Sequence, residues 1–140
     1  MAEELIFKRQ DKYHFFTKTK NGFEIHTDSK VGNGYEQTAA TPMNHLLAGL
    51  AGCTGIDVVM ILEKMHVELD DFQIRLQYDR KETHPKIYTN IKIIYEFTGK
   101  DLPMDKLEKA VNLSQNKYCS ASAIFKESAE VTHEIIIKEA

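Results

Sequence analysis

Alternating apolar and polar positions open the chain. Large apolar residues recur at every second position in three short stretches, at Leu5 and Phe7, Tyr13 and Phe15, and Phe23 and Ile25. Alternation with this period is typical of strands that bury one face. The sequence KNG, at residues 20–22, separates the second and third stretches as a hairpin turn does. We therefore predict three short strands, followed by an exposed loop over residues 29–40, SKVGNGYEQTAA.

The most hydrophobic segment, LLAGLAGCTGIDVVMIL, covers residues 46–62 and contains one charged residue, Asp57. Thr41 followed by Pro42 is a favourable helix start, because the hydroxyl can cap the helix and proline at its first position has no amide hydrogen to leave unbonded. We predict a helix from there to about Met65. Its apolar residues lie on all sides, so it must also be covered on all sides. A second subunit is the cover that we expect.

The rest of the chain predicts five more elements. Residues 72–78 and 91–97 again alternate, which indicates an antiparallel hairpin. Apolar residues at helical spacing after Asp101 or Pro103 predict a second helix, and residues 119–128, CSASAIFKES, predict a short third one. EVTHEIIIKE then forms a closing strand. The order βββαββααβ, with a long central hydrophobic helix and antiparallel sheets, predicts a single α+β domain over residues 1–140.

Composition narrows the classes of function. The 140 residues carry a net charge of −3, and their basic residues are dispersed, which argues against nucleic acid as a partner. The N-terminal residues lack the features of a signal peptide, so we expect a cytoplasmic protein. A membrane span is the other interpretation of residues 46–62. Asp57, Thr54 and three glycines within seventeen residues make it a poor one.

Two cysteines, Cys53 and Cys119, are the candidate reactive groups. In a reducing compartment such a pair is more often free or redox-active than a structural disulfide. Taken alone, Cys53 is most simply an inert buried thiol. The same face of its helix carries Leu46, Leu50, Asp57 and Met60, a mostly apolar surface that also suits an apolar substrate. Cys119 lies at the predicted start of a short helix, where amides can stabilise a thiolate. The alternative interpretation is that Cys119 is only a small apolar side chain near the helix cap.

Both cysteine motifs resemble the OsmC/Ohr family of cysteine-based hydroperoxide reductases. TPMNHLLAGLAGCTGIDVV, residues 41–59, is similar to the family's helix, which begins with proline and ends its motif at the first cysteine. KYCSAS, residues 117–122, is similar to the segment around the second cysteine, and the separation of the two cysteines also fits. HPKIYTNIKIIYEFTG, residues 84–99, resembles the YhfA-like branch in particular. The resemblance covers most of the chain.

The resemblance implies an OsmC-like fold and an intertwined homodimer with the cysteine helix at its centre. It also implies a thiol-dependent peroxidase for organic hydroperoxides, active in oxidative-stress defence, that needs no metal or organic cofactor. Cys53 would attack the terminal peroxide oxygen as a thiolate and become a sulfenic acid. Cys119 would then form a disulfide with it, and an external dithiol reductant, lipoyl or thioredoxin-like, would restore both thiols.

One part of the family's site is different here. Members of the family hold the thiolate with an N-terminal arginine that is oriented by a glutamate ten positions before the first cysteine. Met43 occupies that position in this chain. Asn44, Arg80 and Asp57 are the candidate activating or orienting residues. Arg80 would reach the site across the dimer, and its alternative is a solvated loop charge; the alternative for Asp57 is a helix carboxylate paired across the dimer. A carboxylate as close to Cys53 as Asp57 would oppose thiolate formation unless a cation lies between them.

Two other functions compete with the peroxidase. A binding or regulatory protein with the same fold would hold an apolar ligand at Leu46, Leu50 and Met60 and have little or no peroxidase activity, with Met43 as its sequence marker. Thiol chemistry on another electrophile or disulfide is the third hypothesis. The six histidines show no tight ligand spacing, and two cysteines so far apart in the sequence do not indicate a zinc site, so we predict no metal site.

Overall fold

The computed structural model describes residues 2–30 and 34–140. The chain forms two compact units, Met1–Ala48 and Gly49–Ala140. Part of the predicted loop over residues 29–40 falls on residues 31–33, which lie outside the described residues. The single domain over residues 1–140 stays a prediction.

The predicted order of elements is confirmed. It consists of β1 (Lys8–Asp11), β2 (His14–Lys18), β3 (Glu24–Thr27), α1 (Pro42–Lys64), β4 (Asp71–Arg80), β5 (Tyr88–Thr98), α2 (Met104–Leu113), a π-helical segment (Ser114–Tyr118), α3 (Ser120–Lys126) and β6 (Glu130–Lys138). Within residues 2–30 and 34–140, the π-helical segment between α2 and α3 is the one addition to the predicted order.

The first unit is an antiparallel sheet, β1-β2-β3, with a polar cluster beside it. Asp28 is fully buried and accepts hydrogen bonds from the Tyr35 hydroxyl, the Ser29 amide, and the amide and hydroxyl of Thr38. Burial opposes ionisation, but these hydrogen bonds outweigh it and lower the pKa of Asp28 to about 2. The buried His14 lies 3.5 Å from the same carboxylate. This cluster fixes the residues that lead into α1.

Helix α1 begins as the sequence predicts. The Asn44 amide donates to the Thr41 hydroxyl at 3.2 Å, which is the expected cap. The helix ends at Lys64, one residue before the predicted end. His66, at φ 59°, then adopts the left-handed conformation that commonly terminates a helix.

The second unit contains the sheet β4-β5-β6, with β5 in the middle. β4 and β5 pair antiparallel, with Phe72 opposite Phe97. β6 pairs parallel to β5, so this pairing differs from the antiparallel sheets that we expected. The physical reason is the long helical connection from β5 to β6, which crosses over and returns the chain in the same direction.

The core of the second unit is built around the central strand. From Ile93 to Phe97, β5 is buried on both faces, whereas Asn90 and Lys92 on its first half are exposed. Helices α1 and α2 supply further fully buried side chains, namely Leu50, Val58, Leu62, Leu107, Ala110 and Val111. One face of α1 is therefore packed into the core. It includes Leu50 and Thr54, which flank Cys53 along the helix.

Candidate functional site

Two thiols and one carboxylate meet in the second unit. Cys53 and Asp57 lie one turn apart on α1, and Cys119 lies immediately before α3. Their two Sγ atoms and a carboxylate oxygen of Asp57 are all within 4.8 Å of one another. Both cysteines are free thiols; Cys53 is half-buried, whereas Cys119 is only 4% exposed. Only one of the two sulfurs is therefore readily reached from solvent.

Cys119 caps the short helix α3. Its backbone is extended, with φ −75° and ψ 101°, and its Sγ accepts a hydrogen bond from the Ser122 amide at 3.3 Å. Burial raises the pKa of the Cys119 thiol; hydrogen bonds from the hydroxyl and amide of Ser122 lower it, and the neighbouring Cys53 thiol raises it. The balance leaves the pKa raised. Cys119 is therefore protonated near neutral pH.

A π-helical segment, Ser114–Tyr118, carries the chain into Cys119. Short π-helical insertions are frequent at functional sites, because they turn side chains that an α-helix would direct elsewhere. Here Ser114 and Gln115 are buried. The Gln115 carbonyl accepts from the Lys126 ammonium at 2.6 Å, and its side-chain oxygen accepts from the Ser122 hydroxyl at 3.2 Å. The segment is thus tied to both ends of α3.

Thr54, the residue after Cys53, is the centre of a buried hydrogen-bond network. Its hydroxyl lies 2.7 Å from the Tyr95 hydroxyl, 2.7 Å from the Ser114 hydroxyl and 3.2 Å from the Gln115 side-chain amide. Gln115 also donates to the Tyr95 hydroxyl at 3.0 Å. Burial raises the pKa of Tyr95 to about 12, so it remains a neutral phenol. The network joins α1, β5 and the π-helical segment.

Ser114 extends this network to the reactive groups. Its hydroxyl donates to Oδ2 of Asp57 at 2.9 Å. Asp57 is therefore oriented from one side by Ser114 while a carboxylate oxygen remains within 4.8 Å of both sulfurs. The 4.8 Å bound is longer than a hydrogen bond, so proton transfer between Asp57 and either thiol requires a bridging water or a small movement.

Arg80 and Asn44 make other contacts within this chain, and the contribution of Arg80 across a dimer stays a prediction. Arg80 donates to the Lys86 carbonyl at 2.9 Å, and its guanidinium carbon lies 5.8 Å from the centre of the Tyr88 ring, within the β4–β5 hairpin. Asn44 is exposed at the start of α1. The groups that the structure shows beside the two sulfurs are instead the Asp57 carboxylate and the Ser122 amide.

The three residues predicted to bind an apolar substrate or ligand differ in their exposure to solvent. Leu50 is fully buried, whereas Leu46 and Met60 are about half exposed. Met60 lines an open groove of about 550 Å³. Its other lining residues are Ala51, Gly52, Gly55, Ile56, Val59, Phe72, Gln73 and Ile74. Met60 is thus the candidate that the structure places at an accessible apolar surface of the second unit.

The polar residues that support the site were not predicted from the sequence. They are Thr54, Tyr95, Ser114, Gln115, Ser122 and Lys126. One signal was available, because Ser114 and Gln115 follow directly on the buried face of an amphipathic helix. Polar residues that continue an apolar face are usually buried with partners.

Comparison with known proteins identifies the family. The family model for OsmC-like proteins matches residues 34–134. The protein YhfA of Escherichia coli (strain K12) is 33% identical over 119 residues, which cover 85% of this chain and 86% of YhfA. A crystal structure described as a hypothetical protein from Aquifex aeolicus VF5 is 35% identical, covers 100% of this chain and 98% of its own, and superposes with a TM-score of 0.86.

More distant structures share the fold. The organic hydroperoxide resistance protein OhrB of Bacillus subtilis superposes with a TM-score of 0.65 at 18% identity, covering 95% of this chain and 98% of OhrB. Helix α1 is long and apolar enough to cross a membrane by length and composition. One such helix is weak evidence for a membrane span, because core helices of soluble proteins pass the same test. The comparisons show that the chain belongs to the OsmC/Ohr family, on its YhfA-like branch.

Proposed function

We propose that this protein is a thiol-dependent peroxidase that reduces organic hydroperoxides through Cys53 and Cys119. The observation that carries the proposal is the meeting of the two sulfurs and the Asp57 carboxylate, all within 4.8 Å, although the cysteines lie on different elements. Support also comes from the family, some of whose members are named for organic hydroperoxide resistance. An activity in oxidative-stress defence, in the cytoplasm, is part of this proposal.

Cys53 is assigned the first step because its sulfur is the more accessible. In that step the Cys53 sulfur bonds to the terminal oxygen of the hydroperoxide and the O–O bond breaks. The thiol proton passes to Asp57 and from there to the departing alkoxide, which leaves as an alcohol. Sulfur is oxidised to a sulfenic acid, and the peroxide receives the two electrons. A nearby base that takes the proton during attack removes the need for a stored thiolate.

Cys119 is assigned the second step. Because it is buried and its pKa is raised, it is a poor first nucleophile for a substrate arriving from solvent. Beside a Cys53 sulfenic acid it needs only to displace hydroxide from that sulfur. The S–S bond forms, the S–OH bond breaks, and the Cys119 proton leaves with the hydroxide as water. An external dithiol then reduces the disulfide by thiol exchange and is itself oxidised.

A homodimer belongs to the same proposal. Only 28% of the most apolar stretch of α1 is buried within the chain, and Ile56 and Met60 are 63% and 52% exposed. A β-carbon added at Gly49 or Gly52 would meet nothing within 4 Å. Apolar surface of this kind on a soluble protein favours a protein partner. A second copy that packs its own α1 against this face, as in an intertwined dimer, accounts for it.

The proposal is tested by hydroperoxide consumption. Reduced protein is mixed with cumene hydroperoxide and dihydrolipoamide, and the wild type is compared with Cys53→Ser, Cys119→Ser and the exposed neighbour control Ser120→Ala. We expect turnover in the wild type and the control, none in Cys53→Ser, and a single turnover in Cys119→Ser. Absence of consumption by the wild type with every dithiol tried, including thioredoxin, would refute the peroxidase.

The groove beside Met60 favours one alternative, an apolar-ligand protein of the same fold with little or no peroxidase activity. Cys53→Ser separates the two functions, because it abolishes peroxide reduction and leaves the affinity for an apolar ligand intact. A substrate panel that includes disulfides and other electrophiles addresses the remaining thiol chemistry. Preference for organic hydroperoxides in that panel supports the proposal.

A further inference from the structure

The geometry points to a metal site that the sequence did not predict: we infer that the reduced protein binds one zinc ion per chain through Cys53, Cys119 and Asp57. These three are a cluster, within the described residues, whose ligand atoms all lie within 4.8 Å of one another. The inference does not depend on the proposed peroxidase activity, since binding requires only the two thiols and the carboxylate.

The chemistry of the ligands selects the metal. Two thiolates and one carboxylate form a mixed soft and hard set, and zinc accepts both kinds in tetrahedral sites. In such a site, ligands at ordinary zinc distances lie about 3.8 Å or less from one another. The present separation is at most 4.8 Å. A sulfur and an oxygen bound to the same zinc lie about 3.5 Å apart, so each pair of ligand atoms needs to approach by about 1.3 Å at most.

The surroundings of these ligands resemble the support that metal ligands usually have. Ser114 donates to Asp57 Oδ2 at 2.9 Å, and Ser122 donates its amide to the Cys119 sulfur at 3.3 Å. Ser114 is itself held by Thr54. Hydrogen bonds of this kind orient ligands and stabilise their anionic forms. Cys53 and Asp57 are half-buried, so a fourth coordination position can be filled by water.

Zinc and a disulfide are mutually exclusive at these sulfurs. Zinc displaces both thiol protons and forms two S–Zn bonds, with no change in oxidation state. Once the two sulfurs are joined to each other, neither thiolate remains to hold the ion. The bound metal would consequently protect the pair from oxidation and block any reaction that begins at Cys53.

The experiment is a titration of the reduced, metal-free protein with Zn²⁺ by calorimetry under anaerobic conditions, repeated with Co²⁺ by absorption. We expect one ion per chain and thiolate-to-cobalt charge-transfer absorption that falls by about half in each single cysteine variant. Ser114→Ala should weaken zinc binding by about 10-fold, and Cys53→Ser, Cys119→Ser and Asp57→Asn by more. Glu82→Gln, an exposed carboxylate in the β4–β5 turn, is the control and should leave affinity unchanged.

Other results would overturn the inference. They are the absence of zinc binding by reduced wild type, cobalt binding without charge-transfer absorption, or affinity that survives loss of either cysteine. Affinity that survives Asp57→Asn would refute the three-ligand site. Thermal melts show whether each variant is folded. The cobalt spectrum of the wild type tests for thiolate ligands without any substitution. If the wild type binds zinc but does not reduce hydroperoxides, the zinc site stands and the proposed peroxidase is refuted. If it reduces hydroperoxides but does not bind zinc, the peroxidase stands and the zinc site is refuted.

Discussion

Replacing Thr54 by valine tests the buried network beside Cys53. The two side chains have nearly the same shape, and Thr54 is fully buried, so the change removes the hydroxyl and little else. That hydroxyl makes three hydrogen bonds, each worth about 0.5–1.5 kcal/mol net. Each partner keeps another bond: Tyr95 and Gln115 to one another, and Ser114 to Asp57. Tyr95 only accepts from Gln115, however, so its buried O–H loses its acceptor, and this bond then costs about 1–3 kcal/mol instead of about 0.5–1.5.

The added methyl group returns about 0.8 kcal/mol of apolar burial, so we expect a loss of about 1–5 kcal/mol in the free energy of unfolding. For a chain of this size the melting temperature should fall by about 3–15 °C. The assay is thermal unfolding followed by circular dichroism at one fixed protein concentration. Thr132→Val, an exposed threonine on β6, is the matched control and should change stability by less than about 0.5 kcal/mol. Equal melting temperatures for the two variants would refute the network's role.

Three further predictions follow from other contacts. Ser122→Ala should slow disulfide formation and shift its pH dependence to higher pH, because the Ser122 hydroxyl helps to lower the pKa of Cys119 and the variant lacks it. Unchanged stopped-flow profiles would contradict this. Asp28 has its pKa lowered from 3.8 to about 2, so its stabilising effect is present above about pH 4 and is lost as pH falls through about 2. The difference in melting temperature between wild type and Asp28→Asn should therefore shrink over that range; a constant difference would argue against the assignment. Gly52→Ala should weaken the proposed dimer in light scattering, whereas a stabilised helix, by about 1 kcal/mol, with unchanged dimer would show that no partner covers Gly52.

Much of the fold could be predicted because local patterns dictate it. Thr41 and Pro42 fix the start of α1 through capping and the missing proline amide, and period-two alternation marks β4 and β5. The direction of β6 could not be predicted in this way. Whether a strand pairs parallel or antiparallel depends on the path of the connection that precedes it, and alternation within the strand carries no information on that path.

The residues of the candidate site could be predicted from the sequence, but their proximity could not. Cys53 and Cys119 stand out by residue type and by their motifs, and Asp57 stands out as the lone charge in an apolar helix. Their proximity depends on the packing of α1 against the segment before α3, which spacing along the chain does not reveal. The π-helical segment is the clearest case. Ser114 and Gln115 continue the buried face of α2, but the sequence does not reveal that both reach Thr54.

The most direct test of the central claim is peptide mass mapping of the reduced protein after reaction with one equivalent of cumene hydroperoxide. The account predicts a disulfide between Cys53 and Cys119 in the wild type. In Cys119→Ser it predicts a sulfenic acid on Cys53 that can be trapped with dimedone. Two thiols that remain reduced, or oxidation that begins at Cys119, would contradict the account.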